Sequence, residues 1–287
     1  MLKRNSLVSA GVLFLFLLGP LAASPSPFSP LAALWGRSGK LRAVFTLPGE
    51  SRADGAAGHR HPGVYALDLA SAAGAEALHW FVLTPFSAKV RGRIGSYRMG
   101  KWPFERRGPS DAAYENPRGF IEVTPQNART KVSEHFSIGE FLTKNQPNVW
   151  PKYLVLQPRL VDKLELTIEE LNREGYAVSD LVVMSGFRTP EYNEPGVGAG
   201  GRSAISRHQY GDAADVYPDD ARHGRMDDLN RDGRVDLSDA RILAHAAEMV
   251  EEAHPELAGG IGIYPATAAH GPFVHLDARG KRARWGA

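Results

Sequence analysis

The 287-residue sequence predicts an α+β chain, and three observations carry that expectation. Between residues 41 and 130, short apolar runs ("LRAVFTL", "GVYALDL", "ALHWFVLTPF", "GFIEVT") are punctuated by glycine, proline and polar turns, the pattern of strands. Farther on, "QPRLVDKLELTIEELNREG" (157–175) repeats apolar residues at helical spacing. Near the end come "DLVVMSGF", "GDAADVY" and "PFVHLDARG", apolar stretches too short for helices.

The amino terminus comes first. "MLKRNSLVSAGVLFLFLLGPLAASPSP" runs from a basic start through an apolar stretch, Leu7 to Leu18, into small residues at Ala22, Ala23 and Ser24. That is the layout of a secretory signal peptide over residues 1–24, with an uncleaved anchor as the alternative. Either way the rest of the chain is exported, to the periplasm or cell envelope, and once the signal is removed no membrane span is expected. Residues 25–40 are rich in proline and serine and read as a linker. The segment 41–130 is expected to form a β-rich domain, in which "IGSYRMGKWPF" (94–104) reads as a packed turn. In the helix at 157–175, Leu160, Leu164, Ile168 and Leu171 share one face, and Gly175 ends the pattern.

Composition narrows the function. With 43% hydrophobic and 23% charged residues the chain has enough material for a core. A formal charge of only +2, with its cations scattered, argues against a nucleic-acid partner. There is no cysteine, so a zinc site must be built from His, Asp or Glu.

A catalytic zinc needs three protein ligands and an open fourth position. His208 lies in a loop after the glycine-rich "GVGAGGRS", and Asp215 lies where "GDAADVY" runs as a strand, with Gly211, Ala213 and Asp215 on one face. In "FVHLD" the same period puts His275 and Asp277 on a common face, about 7 Å apart. A His and an Asp at this spacing also occur as ordinary hydrogen-bonded residues, so the spacing alone does not assign a metal.

Between these elements, "DLNRDGRVDLSD" (228–239) matches a twelve-residue calcium loop. Asp228, Asn230 and Asp232 stand at positions one, three and five, and Gly233 at the turn. Arg234 offers its carbonyl at seven, Asp236 stands at nine and Asp239 at twelve. Val235 at eight is placed to tie the loop to the core. The aspartate at position twelve is shorter than the glutamate of sensor loops, and the motif resembles the structural calcium loops of dockerin modules.

Taken together, Ser206, His208, Gly211, Ala213 and Asp215 in an SxHxxGxAxD pattern, SGFR at 185–188, GGIGIYP at 259–265 and VHLD at 274–277 resemble the zinc peptidases of bacterial cell walls. These are the D-Ala-D-Ala carboxypeptidase and murein endopeptidase superfamily, which shares its zinc-site architecture with the hedgehog domain. The resemblance covers about residues 133–287, and it is strongest for the branch whose last ligand lies in an HxD strand. It implies an antiparallel-sheet peptidase domain with flanking helices over residues 131–287, with the calcium loop as an insertion. It makes His208, Asp215 and His275 zinc ligands and Arg188 the cation that binds a substrate carbonyl or carboxylate. Ser206 either positions substrate or bonds the turn. The implied substrate is a peptidoglycan stem peptide or crosslink, cut by an endopeptidase or trimmed by a D,D-carboxypeptidase.

One position departs from that pattern. Many members carry a general-base glutamate three residues before the last ligand, where this chain has Pro272. Asp277 is then the first candidate for the base and His270 the second, while Asp277 could equally be a carboxylate that orients a ligand histidine. A wall-binding protein that keeps the metal fold without hydrolysis is the alternative that Pro272 favours. A hedgehog-like binding domain is a further one, by analogy of architecture.

Overall fold

The computed structural model describes residues 36–51, 58–67 and 78–286, so the expected signal peptide and most of the expected linker lie outside the described residues. The architecture is α+β. Thirteen short strands are described: β1 Ala43–Thr46, β2 Gly63–Leu67, β3 Leu78–Val82, β4 Thr84–Pro85, β5 Arg93–Ile94, β6 Tyr97–Arg98, β7 Gly119–Val123, β8 Lys152–Leu154, β9 Val182–Ser185, β10 Ala213–Tyr217, β11 Gly260–Tyr264, β12 Phe273–Asp277 and β13 Ala283–Gly286. The α-helices are α1 Pro158–Arg173, α2 Pro190–Asn193 and α3 Leu237–Ala253.

The principal sheet has the order β13-β11-β12-β10-β9. Its neighbours are antiparallel except β11 and β13, which run parallel. Helices α1 and α3 pack on each other, and α3 packs against β11 and β12. Period two then divides the strands. Ala214, Val216, Val274 and Leu276 join the core, whereas Asp215, His275 and Asp277 take the opposite face.

Pro158 opens α1 at its first turn, where its missing N–H costs no helical bond. All four of its expected apolar residues are buried, and Gly175, just past the end, has φ +93°. Each such leucine contributes about 1.5–3 kcal/mol by leaving water.

The N-terminal segment forms the three-stranded sheet β1-β3-β2 and the hairpin β5-β6, and it supplies β4 and β7 of the sheet β4-β7-β8. Tyr97, Met99 and Trp102 are fully buried, so residues 94–104 are the packed turn that was expected. A single apolar cluster takes side chains from both sides of position 130, and β7 pairs with β8 across it, so the two segments share one interior.

Two expectations need correction. Residues 36–40 do pack, because the backbone N–H groups of Arg37 and Ser38 donate to the buried carboxylate of Asp162 on α1, at 2.5 and 2.7 Å. Gly211 is not in the strand. It has φ +70°, closing the 3-10 turn Arg207–Tyr210, and a Cβ there would stand 2.3 Å from the Val155 carbonyl oxygen. The strand face begins at Ala213.

Candidate metal centre

The register of the principal sheet builds the centre. Ser185, Asp215, His275, Gly262 and Trp285 pair in succession across β9, β10, β12, β11 and β13, forming one row across all five strands. A bulge follows Asp215 where β10 meets β9. His208 joins this row from the turn Arg207–Tyr210, with Gly211 reversing the chain into β10.

Three ligand atoms converge there. His208 Nε2 is 3.2 Å from Asp215 Oδ1 and 3.1 Å from His275 Nδ1, and His275 Nδ1 is 3.0 Å from Asp215 Oδ1. All three residues are buried. A tetrahedral zinc with bonds of about 2.0–2.1 Å has ligand atoms about 3.3 Å apart, so this spacing fits such an ion. The far side of each imidazole is also fixed. His208 Nδ1 donates to the Gly186 carbonyl at 2.7 Å, which leaves Nε2 with its lone pair. His275 Nε2 lies 3.1 Å from Asp277 Oδ2 and donates to it, which turns Nδ1 toward His208 and Asp215.

The electrostatics favour a cation. Burial pushes His208 below its ordinary value, toward the neutral imidazole a metal requires. Burial would raise Asp215, but His208 and His275 hold its carboxyl well below the usual range. His275 is likewise buried, yet Asp215 and Asp277 together hold it above the ordinary histidine value. The triad could therefore hold a metal ion, which would take the place of a proton on His275.

The remaining expected residues fall into distinct places. Arg188 donates from Nη2 to Asp215 and from Nε to Ser185 Oγ at 2.8 Å, so it steadies the Asp215 carboxylate while lining the cleft. Asp277 is fully buried behind the His275 ring. It accepts the Gly260 N–H at 2.8 Å and is forked by Arg279. Although burial raises it, His275 and Arg279 keep its carboxyl below the carboxylate range, a poor state from which to accept a proton. Behind it, Lys163 of α1 donates to the Asp277 carbonyl at 2.7 Å and to Glu251 of α3 at 2.6 Å.

In front of the triad opens a cleft of about 850 Å³. Ser206 and His270 line it, and the one carboxylate among its described lining residues is Asp215. His270 Nδ1 donates to the Gly271 carbonyl at 2.8 Å, which leaves Nε2 as an acceptor. A second hollow of about 870 Å³, lined by the β5-β6 hairpin and α2, carries none of the triad, so size alone does not mark the site.

The loop 228–239 is closed by its own hydrogen bonds. Asp228 accepts the N–H groups of Asp232 and Gly233, at 3.2 and 2.8 Å, and Asp232 accepts that of Arg234 at 2.9 Å. Asn230 reaches Asp232 Oδ2, and Gly233 has φ +85°. Val235 packs partly buried against the core. Asp236 and Asp239 form the capping box of α3, with Asp239 Oδ1 accepting the Leu229 N–H at 2.8 Å. Among the described residues, two groups of three His, Asp or Glu bring ligand atoms within 4.8 Å of one another: the triad, and Asp219, His223 and Asp227. In the latter, Asp219 accepts the N–H groups of His223 and Gly224 and Asp227 accepts that of Asp220, as in a closed turn.

Sequence reasoning did not reach Trp285, Tyr264, Arg279 or Lys163. The alternating glycines of "GGIGIY" were the available signal for Trp285, since a strand that omits side chains on one face leaves room for a ring. No family model, no curated protein and no solved structure matches the chain.

Proposed function

We propose that the chain is an exported zinc-dependent peptidase that hydrolyses amide bonds of peptidoglycan, in stem peptides or crosslinks. The observation that carries this reading is the convergence of His208 Nε2, Asp215 Oδ1 and His275 Nδ1 within 3.2 Å at the floor of an open cleft. The choice of substrate rests on the sequence resemblance and the signal-like amino terminus.

Zinc, when bound, would polarise the amide carbonyl and acidify water. The chain's own residues supply the rest. Asp277 keeps His275 in the tautomer that presents Nδ1, and Gly186 does the same for Nε2 of His208. Arg188 holds the second oxygen of Asp215 and adds positive charge beside a developing oxyanion. His270 lines the cleft whereas Asp277 stands behind a ring, so His270 Nε2 would take the proton of an attacking water and return it to the amine that leaves as the C–N bond breaks. Loop 228–239 takes a structural calcium that braces the start of α3.

A non-catalytic wall-binding role is the second reading, favoured by Pro272 and by the lack of a free carboxylate among the described cleft residues. Mass spectrometry of peptidoglycan fragments decides between them, with His208→Ala as control. Release of uncrosslinked peptides by the wild type alone supports the endopeptidase, and loss of terminal D-Ala alone supports the carboxypeptidase. No release with zinc and calcium present overturns both.

A further inference from the structure

The row of paired residues that carries Asp215 and His275 ends at Trp285. Two of the strand residues beneath that ring are glycines, and the space they vacate is filled by the indole. A Cβ on Gly262 would stand 2.3 Å from Trp285 Nε1, and one on Gly260 would stand 2.6 Å from Cη2. The ring thus lies flat on β11, with its centroid 5.1 Å from that of His275. Its Nε1 donates to the Tyr264 hydroxyl at 2.8 Å, which fixes its rotation in the plane. Tyr264 stacks on Phe273 at 4.7 Å, and Phe273 meets His270 at 5.0 Å, so a continuous aromatic wall runs from the metal ligands to His270.

Trp285 nevertheless keeps 36% of its surface exposed while lining the cleft. We propose that Trp285 is an aromatic subsite that takes the aliphatic side chain of the residue flanking the scissile amide. Successive Cα atoms lie about 3.8 Å apart, so a residue next to an amide held at the triad falls over a ring 5.1 Å from His275. The Arg279 guanidinium stands 5.7 Å from the ring centroid, and the rest of the exposed indole attracts C–H groups and excludes water. The subsite rests on the reading of the centre as a peptidase of peptidoglycan.

The test uses the full chain with Trp285→Leu and Trp285→Phe, and a crosslinked muropeptide dimer as probe. Zinc content, kcat and KM are measured beside calorimetric binding and tryptophan emission. Trp285→Leu is expected to keep stoichiometric zinc and near-normal kcat but to raise KM and Kd about tenfold, while Trp285→Phe stays within about threefold of wild type. Binding should shift the wild-type emission and leave that of Trp285→Phe, with its four other tryptophans, unchanged. Unaltered KM and Kd in Trp285→Leu overturn the subsite and leave the peptidase reading standing. Loss of zinc in that variant also overturns it, because the ring would then serve His275. Binding with the emission shift but without hydrolysis overturns the peptidase and keeps the subsite, and absence of binding overturns both.

Discussion

Asp277 Oδ2 lies 3.1 Å from His275 Nε2, on the side of the ring away from Asp215 and His208. The carboxylate therefore acts on the centre through the histidine. Its removal is expected to weaken zinc binding roughly 10–100-fold in Asp277→Ala, as judged by competition with a chelator. Activity should return at saturating zinc. A persistent loss of turnover in the fully loaded variant would instead make Asp277 the base.

His270 carries the complementary expectation. His270→Ala should hold zinc normally and lose roughly a hundredfold or more in kcat. Kinetics at matched zinc occupancy checks this, and near-normal turnover removes His270 from the proton path.

Lys163 and Glu251 pair at 2.6 Å with both side chains fully buried. Lys163→Met leaves the Glu251 carboxylate without that partner and is expected to cost about 3–5 kcal/mol in urea unfolding. The double variant Lys163→Met, Glu251→Leu should recover part of that loss. A cost below about 1 kcal/mol for the single change would mean that Arg284, which also reaches Glu251, suffices.

A pH dependence follows from His135 and Glu165, whose side chains meet at 2.6 Å. The hydrogen bond to Glu165 raises His135, so its contribution is present below the ordinary histidine value and fades as pH rises through the raised one. Burial raises Glu165, but His135 holds it low, so its share is lost as pH falls through that lowered value. The denaturant midpoint should therefore fall as pH rises from about 6 to 9. His135→Gln should flatten that slope, and an unchanged slope would assign the dependence elsewhere.

The loop 228–239 carries a fifth expectation. Calorimetry at millimolar calcium should show one site in the wild type and none in Asp228→Ala. Binding that survives this change would move the ion away from the loop.

The parts legible in the sequence were those set by short periods. The spacing of Leu160, Leu164, Ile168 and Leu171 announced α1, and alternation placed His275 and Asp277 on one face of β12. Gly211 misled because a glycine beside small residues resembles a strand start, whereas tertiary packing against Val155 required a left-handed residue. The division of labour between Asp277 and His270 depends on which side of the His275 ring each occupies, and no spacing in the chain records that. Arg188 was legible as a cation of the site, but its commitment to Asp215 appears only once β9 and β10 are paired.

The direct pairing of Asp215 with His275 has a further consequence. Strand side chains alternate, so a slip of one residue between β10 and β12 would separate the two ligands and send one of them into the hydrocarbon layer beneath α3. Metal uptake is thus possible in one alignment alone. An ion held by the triad would also act as an inspector of assembly, rewarding the correctly zipped sheet over every misaligned competitor.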